Sequence, residues 1–201
     1  AAVDFPNIVK ALSAFTRALV SFNSAYDRYR YGGDADAMSE SALRGMRLFL
    51  SEDLECHHCH TGFNFTQSTQ HEGNTFIERP FFNTGLYNIG GTGAYPADNT
   101  GLYSLTNEPL DMGKFRPPTL RNIALTAPYM HDGSVSSLEE VLEFYARGGR
   151  LIEAGPLAGD GRLNTHKNGL VAGFEITPEE KRDVIAFLQS VTSRLRWDTT
   201  L

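Results

Sequence analysis

Apolar residues recur at helical spacing in several parts of the chain. Residues 5–22 have an apolar side chain at about every third or fourth position, which predicts an amphipathic helix, and Pro6 suits its first turn. Ser39 is placed to cap a second helix that ends near Leu50, just before a peptide rich in cysteine and histidine. The connector between these helices, residues 26–36, is rich in Tyr, Gly and Asp.

Capping signals indicate two further helices in the second half of the chain. Residues 136–140 open one of them, and Gly148 and Gly149 end it. Residues 177–180 form another capping box, and an apolar stripe follows it. A short helix is also expected over residues 119–125, where a proline soon afterwards stops the pattern.

The long segment between these helices, residues 61–118, has little regular pattern. It is rich in Gly, Asn, Thr and aromatic residues. A structureless stretch of this length is either disordered or functional, and its aromatic content argues against disorder. A large flat apolar cofactor would give such loops a surface to pack on. The whole pattern predicts a mainly α, loop-rich fold with a short β-ribbon.

Composition narrows the class of protein. The 201 residues suit one domain, or one domain with a fragment of another, and a hydrophobic content of 41% suffices for a core. The net charge of −6 argues against nucleic acid as a partner. No apolar run reaches the length of a membrane span, and no signal peptide is recognisable.

The peptide Cys56-His57-His58-Cys59-His60 carries the most specific chemistry of the chain. It is a C-x-x-C-H sequence, the attachment signature of a c-type haem. Two thiols on one helical turn can each bond one haem vinyl group, and His60 then ligates the iron from the proximal side. These are the two cysteines of the chain, so covalent haem would leave no odd thiol. The two inner histidines are variable positions of the signature, expected to face solvent or pack at the haem edge.

Two other chemistries use a C-x-x-C pair. Half of a zinc site could recruit His57, His58 or His60, but structural zinc usually takes its ligands from two separated knuckles, and no second cysteine pair exists. Ligands from one short peptide would also struggle to close a tetrahedron. A disulfide or a thioredoxin-like redox pair is the other alternative, and the trailing histidine and the lack of a βαβ pattern argue against it.

Two longer stretches carry a family resemblance. Residues 111–122, DMGKFRPPTLRN, and residues 125–134, LTAPYMHDGS, resemble the bacterial di-haem cytochrome c peroxidase and MauG superfamily. Residues 39–193 are similar to its C-terminal, electron-transfer haem domain. The stretches 59–65 and 83–87 look most like the MauG-like branch, which includes the methanobactin-associated enzyme MbnH.

The resemblance implies a cytochrome c-like haem domain that is one part of a larger enzyme. Family members have two haems, whereas this chain has one C-x-x-C-H sequence. Residues 1–33 resemble the terminal helix and connector of an otherwise absent N-terminal peroxidatic domain, and residues 34–201 resemble the C-terminal haem domain. The chain begins with Ala1 rather than Met, which indicates a processed or trimmed product. Because the part that would carry the first haem is absent, we expect the C-terminal portion of a di-haem protein, with the second haem c in the missing part. A natural mono-haem protein is the alternative.

The resemblance also implies a second axial ligand for the haem iron. Tyr145 occupies the position that holds a methionine ligand in the peroxidases and a tyrosine ligand in the MauG-like branch, which gives it a catalytic role. Met112, Met130 and His131 offer competing donors, although Met130 is more simply core filler. His131 is expected to hydrogen-bond near the haem or to hold the following turn. Periodicity alone would make Tyr145 a packing residue with its hydroxyl at a polar edge.

Further cofactor contacts are expected beside the haem. Arg116 and Arg121 are candidates to pair with the haem propionates, because guanidinium binds carboxylate bidentately; ordinary surface charge is the alternative. The backbone carbonyls of Thr126 and Pro128 match positions that bind an inter-domain calcium ion in the family, and carbonyl oxygen suits that hard cation. Calcium is therefore a further candidate cofactor.

The resemblance implies a c-type haem oxidoreductase of the MauG/MbnH type. Such an enzyme uses peroxide-derived high-valent iron to oxidise a tryptophan of a partner protein, so its partners would be hydrogen peroxide and that protein. One alternative is a di-haem cytochrome c peroxidase, which reduces hydrogen peroxide with electrons from a donor protein. Another is a mono-haem electron-transfer cytochrome. Covalent haem is attached outside the bacterial cytoplasm, so a periplasmic location is expected.

Overall fold

The computed structural model describes residues 3–73 and 80–193, together with the backbone of residues 196 and 197. The fold is mainly helical and rich in loops, as the sequence predicts. In chain order the helices and strands are α1 (Phe5–Ala18), β1 (Leu19–Val20), α2 (Ala25–Arg30), α3 (Glu40–Phe49), α4 (Tyr103–Thr106), α5 (Leu138–Ala146), β2 (Leu151–Ile152), β3 (Gly159–Asp160), α6 (Pro178–Ser190) and β4 (Arg196–Trp197). Short 3-10 turns lie at Cys56–His58, Pro109–Asp111, Ile123–Leu125 and Gly161–Leu163.

Capping contacts confirm three of the predicted helix starts. The Ser39 hydroxyl accepts a hydrogen bond from the Ala42 N–H at 3.1 Å, which begins α3. At α6 the side chains of Thr177 and Glu180 each accept a bond from the other's backbone N–H, at 3.2 and 2.8 Å. At α5 the Ser137 hydroxyl accepts a hydrogen bond from the Glu140 N–H at 3.2 Å. These polar side chains satisfy N–H groups that a helix start leaves without an intrahelical partner.

Two predicted helices are shorter than their patterns suggest. α1 ends at Ala18, because Leu19 and Val20 leave the helix and pair antiparallel with β4. Residues 119–125 contain only a three-residue 3-10 turn, which follows a left-handed Asn122 (φ 61°). Tertiary pairing and a local backbone reversal therefore override the helical pattern in these places.

The connector at residues 26–36 contains α2, a helix that the sequence pattern missed. Ser24 accepts a hydrogen bond from the Asp27 N–H at 3.2 Å, and the Asp27 carboxylate accepts one from the Ser24 N–H at 2.9 Å. This is a capping box with aspartate in the position where glutamate is more usual. The helix is only six residues long, too short for a periodic apolar stripe to reveal it.

The main core contains the contact between α3 and α6, and aromatic rings form much of it. Phe49 and Phe187 are buried, with ring centroids 5.1 Å apart. Phe65 packs against both rings, at 6.3 and 5.9 Å, and Tyr26 of α2 contacts Phe65 at 4.9 Å. α2 therefore packs in the same core as the residues after position 33, although the sequence analysis grouped it with α1.

Gly45 permits the close approach of α3 to α6, and alanine is expected to disrupt it. A Cβ atom at Gly45 would collide with the backbone carbonyl of Asp183, which cannot rotate away as a side chain could. We expect Gly45→Ala to lower the free energy of unfolding by about 1–3 kcal/mol, measured by denaturant unfolding. Gly169→Ala is the matched control, because a Cβ there meets no atom of the described residues within 4 Å; equal losses in both variants would contradict this account.

A second cluster orders the long loop segment. Its buried members are Leu86, Tyr87, Tyr95 and Phe144. The Tyr95 hydroxyl donates a hydrogen bond to Asn83 Oδ1 at 2.9 Å and accepts one from the Leu86 N–H at 3.2 Å. Met130 packs against both this cluster and the main core. Side-chain contacts therefore hold the segment that has little helical or strand pattern.

α1 differs from the other long helices because none of its residues is buried. Phe5, Leu12 and Phe15 expose 79%, 60% and 54% of their surface. The other described residues leave this apolar face largely uncovered. Among the residues that the structure describes, no helix has the length and hydropathy that crossing a bilayer requires.

Candidate functional site

The C-x-x-C-H peptide forms a tight turn shortly after α3. Cys56–His58 is a 3-10 turn, and the His60 N–H continues it by donating to the Cys56 carbonyl oxygen at 3.0 Å. Glu55 precedes the turn in a left-handed conformation (φ 57°), which redirects the chain. Both thiols are free. The two cysteines and the following histidine are thus held on one compact turn, as covalent haem attachment requires.

The electrostatic environment of the thiols argues against a redox-active pair. Burial raises the pKa of Cys56 to about 12 and that of Cys59 to about 11. Such thiols stay protonated near neutral pH, whereas a thioredoxin-like C-x-x-C pair depends on a stabilised thiolate.

A backbone carbonyl orients His60. Its Nδ1 lies 3.1 Å from the carbonyl oxygen of Phe65, so Nδ1 carries the proton and Nε2 keeps its lone pair for a metal ion. Burial lowers the pKa of His60, while the carbonyls of Phe65 and Pro118 act in the opposite direction. The net lowering favours the neutral imidazole that an iron ligand must be.

Phe65 is a positioning residue that the sequence analysis did not single out. Its ring is buried in the aromatic core, and its backbone is left-handed (φ 49°). Anchoring the ring there fixes the carbonyl that accepts the His60 proton. The only sequence signal was an aromatic residue shortly after the motif, and periodicity cannot assign that residue a role.

Arg121 holds the same loop through the carbonyl of Phe63. Its Nε donates to that carbonyl at 3.0 Å, and Nη2 also contacts it. Nη1 and Nη2 donate to the two carboxylate oxygens of Asp27 at 3.0 and 2.9 Å, and Nη1 donates to the Ser21 carbonyl at 2.9 Å. These contacts engage the whole guanidinium, so a haem propionate could reach Arg121 only by displacing one of them. The structure places Arg121 in a buried ion pair rather than at a free anion site.

Tyr145 lies in the last turn of α5, within electrostatic reach of the cysteine turn. Burial is the main cause that raises the pKa of its phenol, and the charges of Cys59 and Cys56 raise it further. Its ring packs edge-on against Phe144, with centroids 5.1 Å apart, beside the second cluster. The fold thus brings Tyr145 near the C-x-x-C-H peptide from a distant part of the sequence.

The four side chains that would hold the haem are partly buried. Burial shifts the pKa of Cys56, Cys59, His60 and Tyr145, yet each retains solvent-exposed surface. Cys56 packs on the main core, Tyr145 on the second cluster, and Met130 on both. The chemistry of these residues fits a covalently attached haem, because the two free thiols would form thioether bonds and His60 would bind the iron.

Two other predicted site residues are exposed. His131 stacks on Phe115 with centroids 3.6 Å apart, and its Nε2 lies 2.7 Å from Asn99 Oδ1. Burial lowers the pKa of His131. Arg116 donates a hydrogen bond to the Ser68 carbonyl at 3.1 Å, so it holds a loop and keeps further N–H groups for an anion.

The remaining candidate ligands lie in different surroundings. Met112 packs against the second cluster, and Met130 lies between the two clusters. Thr126 and Pro128 belong to an exposed segment, where an inter-domain ligand would have to be. Calcium binding by their carbonyls stays a prediction.

Known proteins resemble this chain in sequence and in structure, although no protein-family profile matches it. A solved MauG-like protein associated with microbial copper homeostasis is 50% identical with a TM-score of 0.87, and the match covers 94% of this chain and 54% of that one. Cytochrome-c peroxidase IdrP1 from Pseudomonas sp. (strain SCT) is 34% identical over 197 residues, 91% of this chain and 48% of the relative. MauG from Methylophilus methylotrophus is 31% identical over 185 residues, 92% and 46% of the two chains. The chain belongs to the di-haem cytochrome c peroxidase and MauG superfamily.

Membership of this superfamily confirms the predicted fold class and supports haem c as the cofactor of the C-x-x-C-H peptide. The di-haem peroxidase BthA from Burkholderia thailandensis, 20% identical with a TM-score of 0.56, shares the fold. The chain spans about half the length of the relatives it matches. These relatives are named as a cytochrome-c peroxidase, a MauG protein and a di-haem peroxidase.

Removing both cysteines is expected to abolish covalent haem. Cys56→Ala with Cys59→Ala leaves His60 to bind haem without a bond that survives denaturation, while each single variant keeps one thioether. Haem staining after denaturing electrophoresis measures the difference: strong for the wild type, weaker for the single variants and absent for the double variant. Persistent staining of the double variant would place the attachment elsewhere.

Proposed function

We propose that this chain is the electron-transfer haem domain of a MauG-type enzyme that oxidises a tryptophan of a partner protein. The observation that carries the proposal is the placement of Tyr145: it packs on the second cluster, as Met130 does, and Met130 also packs on the main core together with Cys56. In this proposal His60 and Tyr145 would be the two side chains that bind one haem iron. The bound haem supplies the redox chemistry, and the residues of the chain set its ligands and surroundings.

The identity of the second ligand separates the two subfamilies chemically. A tyrosinate is a hard anionic donor that favours oxidised iron, whereas a thioether raises the reduction potential. A tyrosine-ligated haem is therefore suited to storing oxidising equivalents. It is poorly suited to simple reduction by a small donor protein.

Haem attachment itself would ease the ionisation of Tyr145. Burial is the main cause that raises the pKa of its phenol. The positive charge of a bound ferric iron would act in the opposite direction and would favour the tyrosinate. The partial burial of Tyr145 would limit the access of water to the iron.

The rest of the proposal concerns the whole protein. Residues 1–33 would end an N-terminal domain that binds a second haem and reacts with hydrogen peroxide, residues 34–201 would be the C-terminal domain, and Thr126 and Pro128 would hold calcium at the domain boundary. The location would be periplasmic. The 50% identical MauG-like protein is associated with microbial copper homeostasis, so a protein of that process is the first candidate partner.

A di-haem cytochrome c peroxidase is the alternative, and the 34% identity to IdrP1 favours it. The test uses the complete haem-loaded protein with stoichiometric hydrogen peroxide. A MauG-type enzyme should hold the oxidising equivalents in a persistent oxidised state without reductant, and it should add oxygen to a tryptophan of its partner, detected by mass spectrometry. Rapid peroxide turnover with a reduced small cytochrome, and no persistent oxidised state, would establish the peroxidase instead.

A further inference from the structure

A group of carboxylate and imidazole side chains lies on the surface beside the haem-attachment turn. We propose that Glu52, His57 and His58 form a binding site for a divalent transition-metal ion of the zinc type, distinct from the haem iron. Glu55 lies at the edge of this group. The proposal concerns the two inner histidines of the C-x-x-C-H peptide, which covalent haem attachment does not use.

The ligand atoms are already assembled at short range. His57 Nε2 lies 3.3 Å from Glu52 Oε1, and His58 Nε2 lies 3.0 Å from Glu52 Oε2. One ligand atom from each of the three residues lies within 4.8 Å of the others. The two imidazole rings are held with centroids 4.1 Å apart. A metal ion with bonds of about 2.0–2.2 Å to nitrogen and oxygen fits atoms at these separations with small side-chain movements.

The hydrogen-bonding capacity of the group does not match its contacts. His58 Nε2 can carry one proton, yet it faces Glu52 Oε2 at 3.0 Å and Glu55 Oε2 at 2.9 Å. Glu55 Oε2 is buried, and its contact with His58 lacks the geometry of a hydrogen bond, so among the described residues this oxygen accepts none. A divalent cation between the rings and the carboxylates would satisfy ring nitrogens and carboxylate oxygens together, which a single proton cannot do.

The donor set selects the class of ion. Two imidazole nitrogens with carboxylate oxygen suit zinc and copper(II), whereas calcium and magnesium prefer sites made only of oxygen. A tetrahedral metal site is hard to complete with ligands from the C-x-x-C-H peptide alone. Glu52, which precedes this peptide, supplies the additional carboxylate ligand. Neither cysteine and neither proposed iron ligand belongs to this group, so haem attachment and the proposed site use different side chains.

The experiment is a calorimetric titration of haem-loaded, untagged protein with ZnCl2. We expect one saturable site per chain, weakened by more than about ten-fold in each of Glu52→Gln, His57→Gln and His58→Gln. Asp53→Asn and His71→Gln are matched controls, because they remove an exposed carboxylate and an exposed imidazole that lie outside the group. Both should bind zinc as the wild type does.

A second measurement keeps the proposal testable if the histidine variants load less haem. Glu52→Gln lies outside the attachment signature and should keep full haem content in a pyridine haemochrome assay. Copper(II) added to the wild type should give an electron paramagnetic resonance spectrum with coupling to two nitrogens. The proposal is overturned if zinc binding is not saturable, if Glu52→Gln binds zinc like the wild type, or if the controls lose as much affinity as the three variants.

Discussion

Replacing Tyr145 with phenylalanine is expected to convert the haem iron from six-coordinate low-spin to a state without its sixth protein ligand. The ring volume is retained, so the packing against Phe144 persists while the oxygen donor is lost. The optical and electron paramagnetic resonance spectra of the ferric haem-loaded protein should shift to high-spin signals. Tyr145→Met should restore a six-coordinate iron with a higher reduction potential, because a thioether replaces an anionic oxygen.

Tyr129→Phe is the matched control for this substitution. Tyr129 is also buried, and its hydroxyl donates to the Ile123 carbonyl at 2.9 Å rather than facing the cysteine turn. The optical and electron paramagnetic resonance spectra of Tyr129→Phe should equal those of the wild type. An unchanged low-spin spectrum in Tyr145→Phe would remove Tyr145 as the ligand and leave Met112 or Met130 as the donors to test.

Breaking the ion pair between Arg121 and Asp27 is expected to be the most destabilising single change. Both side chains are almost fully buried, at 4% and 7% exposure. Removing one partner leaves the other charge in the interior without compensation, which costs about 3–5 kcal/mol. We expect Asp27→Asn to lower the melting temperature by roughly 10 °C, given about 2–4 °C per kcal/mol for a chain of this size. Because Arg121 also holds the loop that orients His60, haem loading should fall as well.

Arg147→Gln provides the comparison with an exposed pair. Arg147 and Glu143 expose 68% and 42% of their side chains, and such pairs contribute at most about 1 kcal/mol. Its melting temperature should fall by only a few degrees. Equal effects in the two variants would mean that burial of the Arg121–Asp27 pair adds nothing to stability.

The same pair predicts how stability depends on pH. Burial alone would raise the pKa of Asp27, but hydrogen bonds from Arg121 and Ser24 outweigh it and hold the pKa below its ordinary value of 3.8. The stabilisation is therefore complete above the ordinary value and is lost as the pH falls through the folded-state pKa. The difference in unfolding free energy between wild type and Asp27→Asn should be constant from pH 7 to 5 and should shrink below about pH 4. A difference that grew on acidification would contradict this sign.

The parts of the fold that the sequence predicted correctly are those encoded by local chemistry. Ser39 and Thr177 predict the starts of their helices, because a helix cap needs only a short polar side chain at one position. The C-x-x-C-H peptide is equally local, because its function requires its three reactive residues on one turn. Neither feature depends on what the rest of the chain does.

The parts that the sequence could not predict depend on contacts between distant residues. The role of Phe65 arises from a ring held by three other elements, which leaves its carbonyl beside His60. Arg121 looked like an anion-binding residue because its partner, Asp27, lies far away in the sequence. The Tyr95 hydroxyl holds residues 83–86 through buried hydrogen bonds, and a periodic pattern of apolar residues cannot predict such contacts.

The most direct test is an anomalous difference map, collected at the iron edge, from a crystal of the haem-loaded protein. The account predicts one iron peak beside the Cys56–His58 turn, within bonding distance of His60 Nε2 and, on the opposite face of the haem, of the Tyr145 hydroxyl oxygen. An iron bound by His60 with a methionine sulfur, a water molecule or no ligand opposite it would contradict the central claim.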